Sequence, residues 1–166
     1  MNSLVIMGVS GCGKSSLGAA VARALGVPLI EGDDFHPPAN SAKMAAGQAL
    51  TDADRQGWLD VLAHRLAEGS SGAVLTCSAL KRDYRDRLRA PNPGLRFAHL
   101  RIDRDDALAR VAGRAGEHLF PPSLVDSQFA ALESPLGELG VIEVEATLPL
   151  DQLTRHISAW MQGDRE

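Results

Sequence analysis

Residues 7–17 read MGVSGCGKSSL and directly follow the apolar run Leu4–Met7. Such a short apolar run, bounded by glycine, predicts a buried strand. Residues 14–25 then have the pattern of a helix that Gly26 ends. The glycines, lysine and serine at this junction match the P-loop pattern G-x-x-x-x-G-K-[ST], between a strand and a helix as that pattern requires. The stretch therefore predicts a phosphate-binding loop, and a glycine-rich turn that only starts the helix is the alternative.

Each part of the pattern has a chemical task. Glycines let the backbone surround an anion with N–H groups, and the start of a helix adds partial positive charge. We expect Lys14 to reach the β- and γ-phosphates and the Ser15 hydroxyl to bind Mg²⁺. Ser16 is an alternative hydroxyl for the cation, or else a packing or capping residue. The nucleotide-binding residues predicted for the loop are Gly8, Ser10, Gly11, Cys12, Gly13, Lys14, Ser15 and Ser16.

Strand-like apolar runs alternate with helical patterns along the whole chain. This alternation predicts an α/β fold with a five-stranded parallel sheet and helices on both faces. The predicted strands are residues 4–7, 28–31, 73–77, 96–102 and 141–144, and the predicted helices are 14–25, 40–46, 52–68, 81–89, 105–114, 123–132 and 150–162. Thr51 is expected to cap the third of these helices. With 166 residues and no linker or repeat, residues 1–166 are predicted to form one domain.

The bulk composition excludes several classes of function. A net charge of −4 provides no positive electrostatic field that would attract nucleic acid. An aromatic content of 4% leaves few side chains on which bases could stack. No stretch approaches the roughly 20 apolar residues of a membrane span, so no membrane partner is expected. Cys12 and Cys77 form no C-x-x-C pair, which favours reduced thiols and a cytoplasmic protein.

Other motifs narrow the class of P-loop protein. No guanine-reading Asn-Lys-x-Asp motif is present, and the third predicted strand runs into VLTCSAL without the aspartate of a Walker B motif. Small size, with arginines before a segment containing glycine and proline, indicates a small-molecule kinase with a closing lid at about residues 114–124. The polar stretches EGDDFH, CSALKR and RIDRDD follow predicted strands, so we expect them to meet at one edge of the sheet.

Four stretches carry a more specific likeness. GVSGCGKSS, EGDDFHPPANSAKMAAGQALTDADRQGWL, TCSALKRDYRDRLR and PPSLVDSQFAALE together resemble the gluconate kinases (gluconokinases), a family related to shikimate kinase. The resemblance implies ATP-dependent phosphorylation of D-gluconate to 6-phosphogluconate with Mg²⁺. It also implies a P-loop kinase fold with a lid, and a homodimer. The family pattern R-x-G-H-F is interrupted here, since one extra residue stands between the glycine and His118.

Two other functions stay open from the sequence. Another small-metabolite kinase, of the shikimate or nucleoside monophosphate type, would share the ATP-binding half and differ in its acceptor. A nucleotide-binding regulatory protein would bind ATP and show no acceptor-stimulated turnover.

Phosphoryl transfer to an alcohol needs a group that orients the hydroxyl and accepts its proton. The segment Glu31-Gly32-Asp33 resembles the D-x-D of shikimate kinases. This likeness implies Asp33 as base or orienting group and Glu31 as a magnesium ligand through water. Asp34 is predicted to be a solvated loop charge. His36 is a hydrogen-bond partner for a polyol or, alternatively, a structural residue of its proline-stiffened loop.

A sugar acid also needs a cation for its carboxylate, and arginine suits bidentate binding. Three residues near the expected site are candidates, although each type is commonly a surface residue. They are Arg55, Lys81 and Arg82. Trp58 is predicted to be an anchor in the core or at an interface.

The helix predicted at 81–89 carries three further arginines. They are predicted to form a solvated face that pairs with Asp83 and Asp86. These arginines are Arg85, Arg87 and Arg89.

Two arginines stand four residues apart before the predicted lid. By likeness to nucleoside monophosphate kinases, Arg110 is assigned to adenine or ribose and Arg114 to transition-state charge. A basic helix end, favoured by the helix dipole, is the alternative. Gln128 is predicted to touch substrate or to be a helix-surface amide. The predicted catalytic residues are Lys14, Asp33 and Arg114.

Overall fold

The protein is built on a five-stranded parallel sheet. The computed structural model describes residues 2–69, 71–113 and 124–163. The strands are β1 (Leu4–Met7), β2 (Leu29–Glu31), β3 (Val74–Thr76), β4 (Arg96–Arg101) and β5 (Val141–Glu145). Their order across the sheet is β2-β3-β1-β4-β5, and each neighbouring pair is parallel. The predicted fold class is confirmed.

Helices alternate with the strands as predicted. They are α1 (Lys14–Leu25), α2 (Pro38–Ala45), α3 (Asp52–Glu68), α4 (Arg82–Arg89), α5 (Arg104–Gly113), α6 (Val125–Ala131) and α7 (Leu150–Gln162), with a short 3-10 helix at Gly32–Phe35. Helix α2 begins at Pro38 rather than at residue 40, because proline fits the first turn of a helix. No helix in the described ranges is long and apolar enough to cross a bilayer. The predicted lid, with Arg114 and His118, lies outside the described residues except at its last position.

Strand β1 lies at the centre of the core. Leu4 and Ile6 pack on one face of the sheet, and Val5 and Met7 pack on the other. Helices α1, α5 and α7 contribute buried side chains to the first face, while α3 and α4 contribute to the second. A strand buried on both faces has to read as a continuous apolar run, which explains why the sequence reveals it so clearly.

Helix α3 begins at a capping box. The Asp54 N–H donates to Thr51 Oγ1 at 3.1 Å, and the Thr51 N–H donates to the Asp54 carboxylate at 2.9 Å. Lys43 donates to the same carboxylate at 2.8 Å. The hydrogen bonds from Lys43 and from Thr51 lower the pKa of Asp54 to about 2. The predicted cap is confirmed, and it fixes the start of the helix that carries Arg55.

One arginine of α4 contradicts the prediction of a solvated face. Arg85 is fully buried and pairs with Glu138, 53 residues away in the sequence, at 2.7 Å. Arg87 is exposed but pairs with Asp60 at 3.1 Å. Arg89 pairs with Asp86 at 2.9 Å, as predicted, and also with the buried Glu138 at 2.7 Å. The prediction was wrong for Arg85 because a local charge pattern does not reveal a partner that only the fold brings near.

We predict that alanine has opposite effects on stability at two glycines. A Cβ on Gly32 would lie 2.3 Å from the Thr76 carbonyl oxygen, so Gly32→Ala should lower the free energy of unfolding by about 1–3 kcal/mol. A Cβ on Gly57, within α3, meets no atom within 4 Å. Gly57→Ala, the matched control, should raise the free energy of unfolding by about 0.5–1 kcal/mol, because glycine is a poor helix former.

Urea unfolding followed by circular dichroism measures both free energies. A Gly32→Ala protein as stable as the unmodified chain would contradict the close approach of the backbone after β2 to the end of β3.

Candidate active site

The loop between β1 and α1 turns sharply at the carboxyl edge of the sheet. Gly11 and Gly13 have φ angles of +83° and +97°, which glycine adopts without steric cost. A Cβ on Gly11 would also lie 2.9 Å from the Ala107 carbonyl oxygen. The backbone therefore has the conformation that the P-loop pattern predicts.

Lys14 folds back over this loop. Its Nζ donates to the carbonyl oxygens of Gly8 at 2.9 Å and Val9 at 3.1 Å. Nζ also lies 3.9 Å from Sγ of Cys12, which is buried. The ammonium group is thus held beside the loop by neutral carbonyls, which a phosphate oxygen would replace with a charged partner.

The Glu31 carboxylate connects α1 with the ends of two strands. Its Oε2 accepts from Ser15 Oγ at 3.1 Å and from Thr76 Oγ1 at 2.6 Å. The two residues predicted at the cation are therefore in contact. Ser16, on the same turn as Ser15, is exposed. Across the described ranges, no group of three or more His, Cys, Asp or Glu side chains is arranged to hold a metal ion.

The segment after β2 carries Asp33 and His36. Asp33 is exposed, with Oδ1 3.7 Å from Nε2 of His36. The imidazole stacks on Trp58 with ring centroids 4.0 Å apart, and Trp58 Nε1 donates to the Gly32 carbonyl at 2.8 Å. Burial lowers the pKa of His36 more than the Asp33 carboxylate raises it, so the imidazole is neutral at pH 7.

The P-loop and the segment after β2 face one cleft. The cleft lies at the carboxyl ends of the strands, where parallel α/β sheets bind ligands. Six of the residues predicted from the sequence line it: Ser10, Lys14, Asp33, His36, Arg55 and Gln128.

Arg55 is the candidate carboxylate ligand that reaches this cleft. Its guanidinium carbon lies 5.4 Å from the centroid of the Tyr84 ring. Its Nε is buried and has no hydrogen-bond partner among the described residues. A buried donor without a partner is costly, so an anionic ligand would satisfy a group that the protein leaves open.

The other two candidate cations lie elsewhere. Lys81 lines an adjoining cleft, where Nζ donates to Asp52 at 2.9 Å and the Tyr84 hydroxyl donates to the same carboxylate. Hydrogen bonds from Tyr84 and Lys81 lower the pKa of Asp52, which keeps this carboxylate ionised. The Arg82 side chain is 67% exposed and lies 3.7 Å from Asp86. The structure therefore does not bring Arg82 into the main cleft.

Arg110 and Gln128 hold the P-loop through hydrogen bonds to its backbone. Arg110 Nη1 donates to the carbonyl oxygens of Gly11 and Cys12, both at 3.2 Å. Gln128 is buried rather than a helix-surface amide, and its Oε1 accepts from the Ser10 N–H at 2.6 Å.

Sequence reasoning missed three contributors to the site. Trp58 is the stacking platform for His36, Thr76 holds Glu31, and Ser78 lines the main cleft. Thr76 and Ser78 stand at the carboxyl end of a predicted strand, and that position was a usable signal. The stacking of His36 on Trp58 had no local signal.

Comparisons with known proteins show the family and the fold to which the chain is similar. Residues 4–135 match the model of the AAA domain family. The chain is 44% identical to the gluconokinase of Gluconobacter oxydans over 163 residues, covering 94% of this chain and 91% of that protein. The crystal structure of a gluconokinase from Sinorhizobium meliloti matches with a TM-score of 0.87 and 42% identity. The match covers 99% of this chain and 98% of that one. Shikimate kinase from Acinetobacter baumannii, at 14% identity over 99% of this chain and 95% of its own, shares the fold with a TM-score of 0.68.

We predict that Lys14→Ala lowers nucleotide-dependent turnover at least about 10²-fold, because a preorganised charge at the phosphates is removed. Its hydrogen bonds are to loop carbonyls, so the melting temperature should change little. Arg155→Ala, an exposed cation on α7 paired with Asp151, is the control and should keep full turnover. Unchanged turnover in Lys14→Ala would contradict the assignment of this loop as a P-loop.

Proposed function

This chain belongs to the gluconokinase family, and we propose that it transfers the γ-phosphoryl group of ATP to the 6-hydroxyl of D-gluconate. The observation that carries the proposal is one cleft lined by Lys14, Asp33 and Arg55. These side chains suit a phosphate, an alcohol and a carboxylate respectively. Gluconate carries a carboxylate at one end of its chain and a primary alcohol at the other. The product is 6-phosphogluconate.

The P-loop is proposed to bind the triphosphate of ATP. Its N–H groups surround the phosphates, and Lys14 exchanges its bonds to loop carbonyls for bonds to phosphate oxygens. Arg110, whose contacts with loop carbonyls support a role at the nucleotide, is proposed to contact adenine or ribose. Arg114 is proposed to neutralise charge in the transition state.

Asp33 is proposed to orient the 6-hydroxyl and to accept its proton as the oxygen attacks the γ-phosphorus. His36 is proposed to hydrogen-bond the hydroxyls of the sugar acid. Its neutral imidazole has one donor and one acceptor nitrogen, and its stacking on Trp58 keeps the ring in place. Gln128, which lines the same cleft, is proposed to contact the substrate as well.

Arg55 is proposed to bind the carboxylate of gluconate. The buried Nε without a partner supports this role, since a guanidinium can bind a carboxylate through two parallel hydrogen bonds. Lys81 is proposed as a second cation from the adjoining cleft. Arg82 stays a prediction from the sequence, because its exposed side chain would have to turn away from Asp86.

The residues at the start of α1 fit a magnesium ion. The Ser15 hydroxyl and the Glu31 carboxylate lie 3.1 Å apart, and both are oxygen donors, which Mg²⁺ prefers together with phosphate oxygens and water. Ser15 would bind the ion directly and Glu31 through water. When bound, Mg²⁺ shields the negative charge of the phosphates.

We also propose a homodimer in the cytoplasm. The family resemblance and two exposed leucines support the dimer, since Leu136 and Leu139 are 62% and 94% exposed and a partner would cover them. Cys12 and Cys77 are free and buried, as suits a reducing compartment. Burial raises the pKa of the Cys77 thiol to about 12, so this group is not reactive.

The alternative is another small-metabolite kinase of the shikimate or nucleoside monophosphate type. A nucleotide acceptor would bring a second phosphate into the cleft and would need further cations there. Within the described part of the lining, Lys14 and Arg55 are the lysine and arginine side chains. This supports an acceptor with one anionic group.

We predict that D-gluconate stimulates ADP release in a coupled assay well above the ATPase blank, while shikimate and AMP do not.

D-glucitol is the matched acceptor, because it differs from gluconate only in replacing the carboxylate by an alcohol. Loss of the charge-assisted pair with Arg55 should raise the KM for glucitol at least about tenfold. Arg55→Gln should raise the KM for gluconate and leave the KM for glucitol nearly unchanged.

Three outcomes would contradict this assignment. Turnover with shikimate or AMP but none with gluconate would identify the alternative kinase. ATP binding without stimulation by any acceptor would identify a regulatory protein. Equal use of gluconate and glucitol would reject a carboxylate site at Arg55.

A further inference from the structure

The segment between β3 and α4, residues 77–81, contains a strained backbone position. Ala79 has φ of +46°, and no other non-glycine residue in the described ranges has positive φ. This left-handed conformation brings Cβ close to the backbone in any residue that has one. Ala79 is also completely buried. The conformation persists only if surrounding groups hold it.

Arg85 provides that restraint. Its Nη1 donates to the Ala79 carbonyl at 2.8 Å, and its Nη2 donates to the Glu133 carbonyl at 3.0 Å. Its Nε and Nη2 also donate to the two carboxylate oxygens of Glu138 at 3.0 and 2.7 Å. The Arg85 side chain is 0% exposed and that of Glu138 is 7% exposed. One guanidinium thus holds the Ala79 carbonyl, the Glu133 carbonyl and the Glu138 carboxylate together.

The same segment is tied on both of its sides. The Ser78 carbonyl accepts from the N–H of Gly8 in the P-loop at 3.3 Å. The Leu80 carbonyl accepts from the Glu133 N–H at 2.7 Å, and the Glu133 carboxylate accepts from the Arg82 N–H at 2.8 Å. The segment therefore lies between the P-loop and the chain that follows α6.

The side chains of this segment face the two clefts. Ser78 lines the main cleft, and Leu80 and Lys81 line the adjoining one. A change in the backbone at Ala79 would turn these side chains relative to Arg55, which lines both clefts. The acceptor half of the site therefore depends on a conformation that the segment does not adopt by itself.

Stability alone is a poor explanation for the buried charges. The cost of desolvating a buried ion pair often exceeds what its attraction returns, and apolar side chains of similar volume commonly pack as well. Apolar side chains cannot fix the direction of a carbonyl group, whereas the planar guanidinium does. Burial would raise the pKa of Glu138, but the hydrogen bonds from Arg85 and Arg89 outweigh it and lower the pKa, so the pair stays ionised.

We propose that Arg85 and Glu138 are positioning residues for the acceptor. They hold Ala79 in its left-handed conformation and thereby place Ser78 and Lys81 at the clefts, without touching the substrate. This inference rests on the proposed function for the identity of the acceptor, and it assigns the pair to acceptor binding rather than to nucleotide binding.

The first variant is Arg85→Lys, which keeps the charge but cannot contact Ala79, Glu133 and Glu138 together. We expect the KM for gluconate to rise roughly tenfold. The KM for ATP should change by less than about twofold, because the segment meets the P-loop through one backbone hydrogen bond, from Gly8 to Ser78. The hydrogen bonds of the P-loop with Lys14, Gln128 and Arg110 do not involve Arg85. Arg87→Lys, an exposed arginine on the same helix paired with Asp60, is the matched control and should change neither value.

The decisive variant adds Ala79→Gly to Arg85→Lys. Glycine adopts the left-handed conformation without help, so the KM for gluconate should return to within about threefold of the original. If Arg85 only stabilised the fold, its replacement would lower the melting temperature without separating the two KM values. Glycine would then not restore the KM for gluconate.

Circular dichroism shows whether each variant folds. If Arg85→Lys does not fold, Glu138→Gln tests the same restraint, because an amide loses the charge-assisted pair with Arg85 and should give the same separation of KM values. Equal rises in both KM values, or no rescue by Ala79→Gly in a folded protein, would overturn the positioning role.

The unmodified chain is assayed first. No turnover with gluconate would count against the proposed function alone. The separation of KM values is then measured with the acceptor that is phosphorylated, so the two failures are distinguishable.

Discussion

The site depends on the contact of the Glu31 carboxylate with Ser15 and Thr76. This one group joins the start of α1 to the ends of β2 and β3. It therefore sets how far the P-loop lies from the segment that carries Asp33, only two residues further on. The contact of Gly32 with the Thr76 carbonyl leaves no space for a side chain, so the turn after β2 has little freedom to move Asp33 away.

Much of the fold was predictable from the sequence, because its signals are local. The run Leu4–Met7 is apolar because β1 is buried on both faces, and the capping box of α3 is readable from Thr51 and its neighbours. The P-loop was predictable for the same reason. Its glycines, lysine and serine stand within a few residues of one another, which makes the motif readable, although Gln128 and Arg110 from distant segments also hold the loop.

The acceptor half was less predictable, because distant segments assemble it. A run of charges such as RDYRDRLR has the pattern of a solvated helix. Arg85 is nevertheless completely buried, and it pairs with Glu138, 53 residues away in the sequence. Arg85 and Arg110 also donate to backbone carbonyls, at Ala79 and at Gly11. Such contacts leave no trace in charge spacing, since every residue has a carbonyl. The sequence identifies the arginines but not the loops that they hold.

We propose that Asp33 acts on the acceptor alcohol while the P-loop binds the nucleotide independently. The most direct measurement is the kcat of Asp33→Asn, taken together with its Kd for ATP and with Asp34→Asn as the matched control, since Asp34 is an exposed neighbour. For Asp33→Asn we expect a kcat lower by about 10²-fold or more and an ATP affinity within about twofold of the original. The control should be close to normal in both. A near-normal kcat for Asp33→Asn would show that Asp33 does not act on the alcohol.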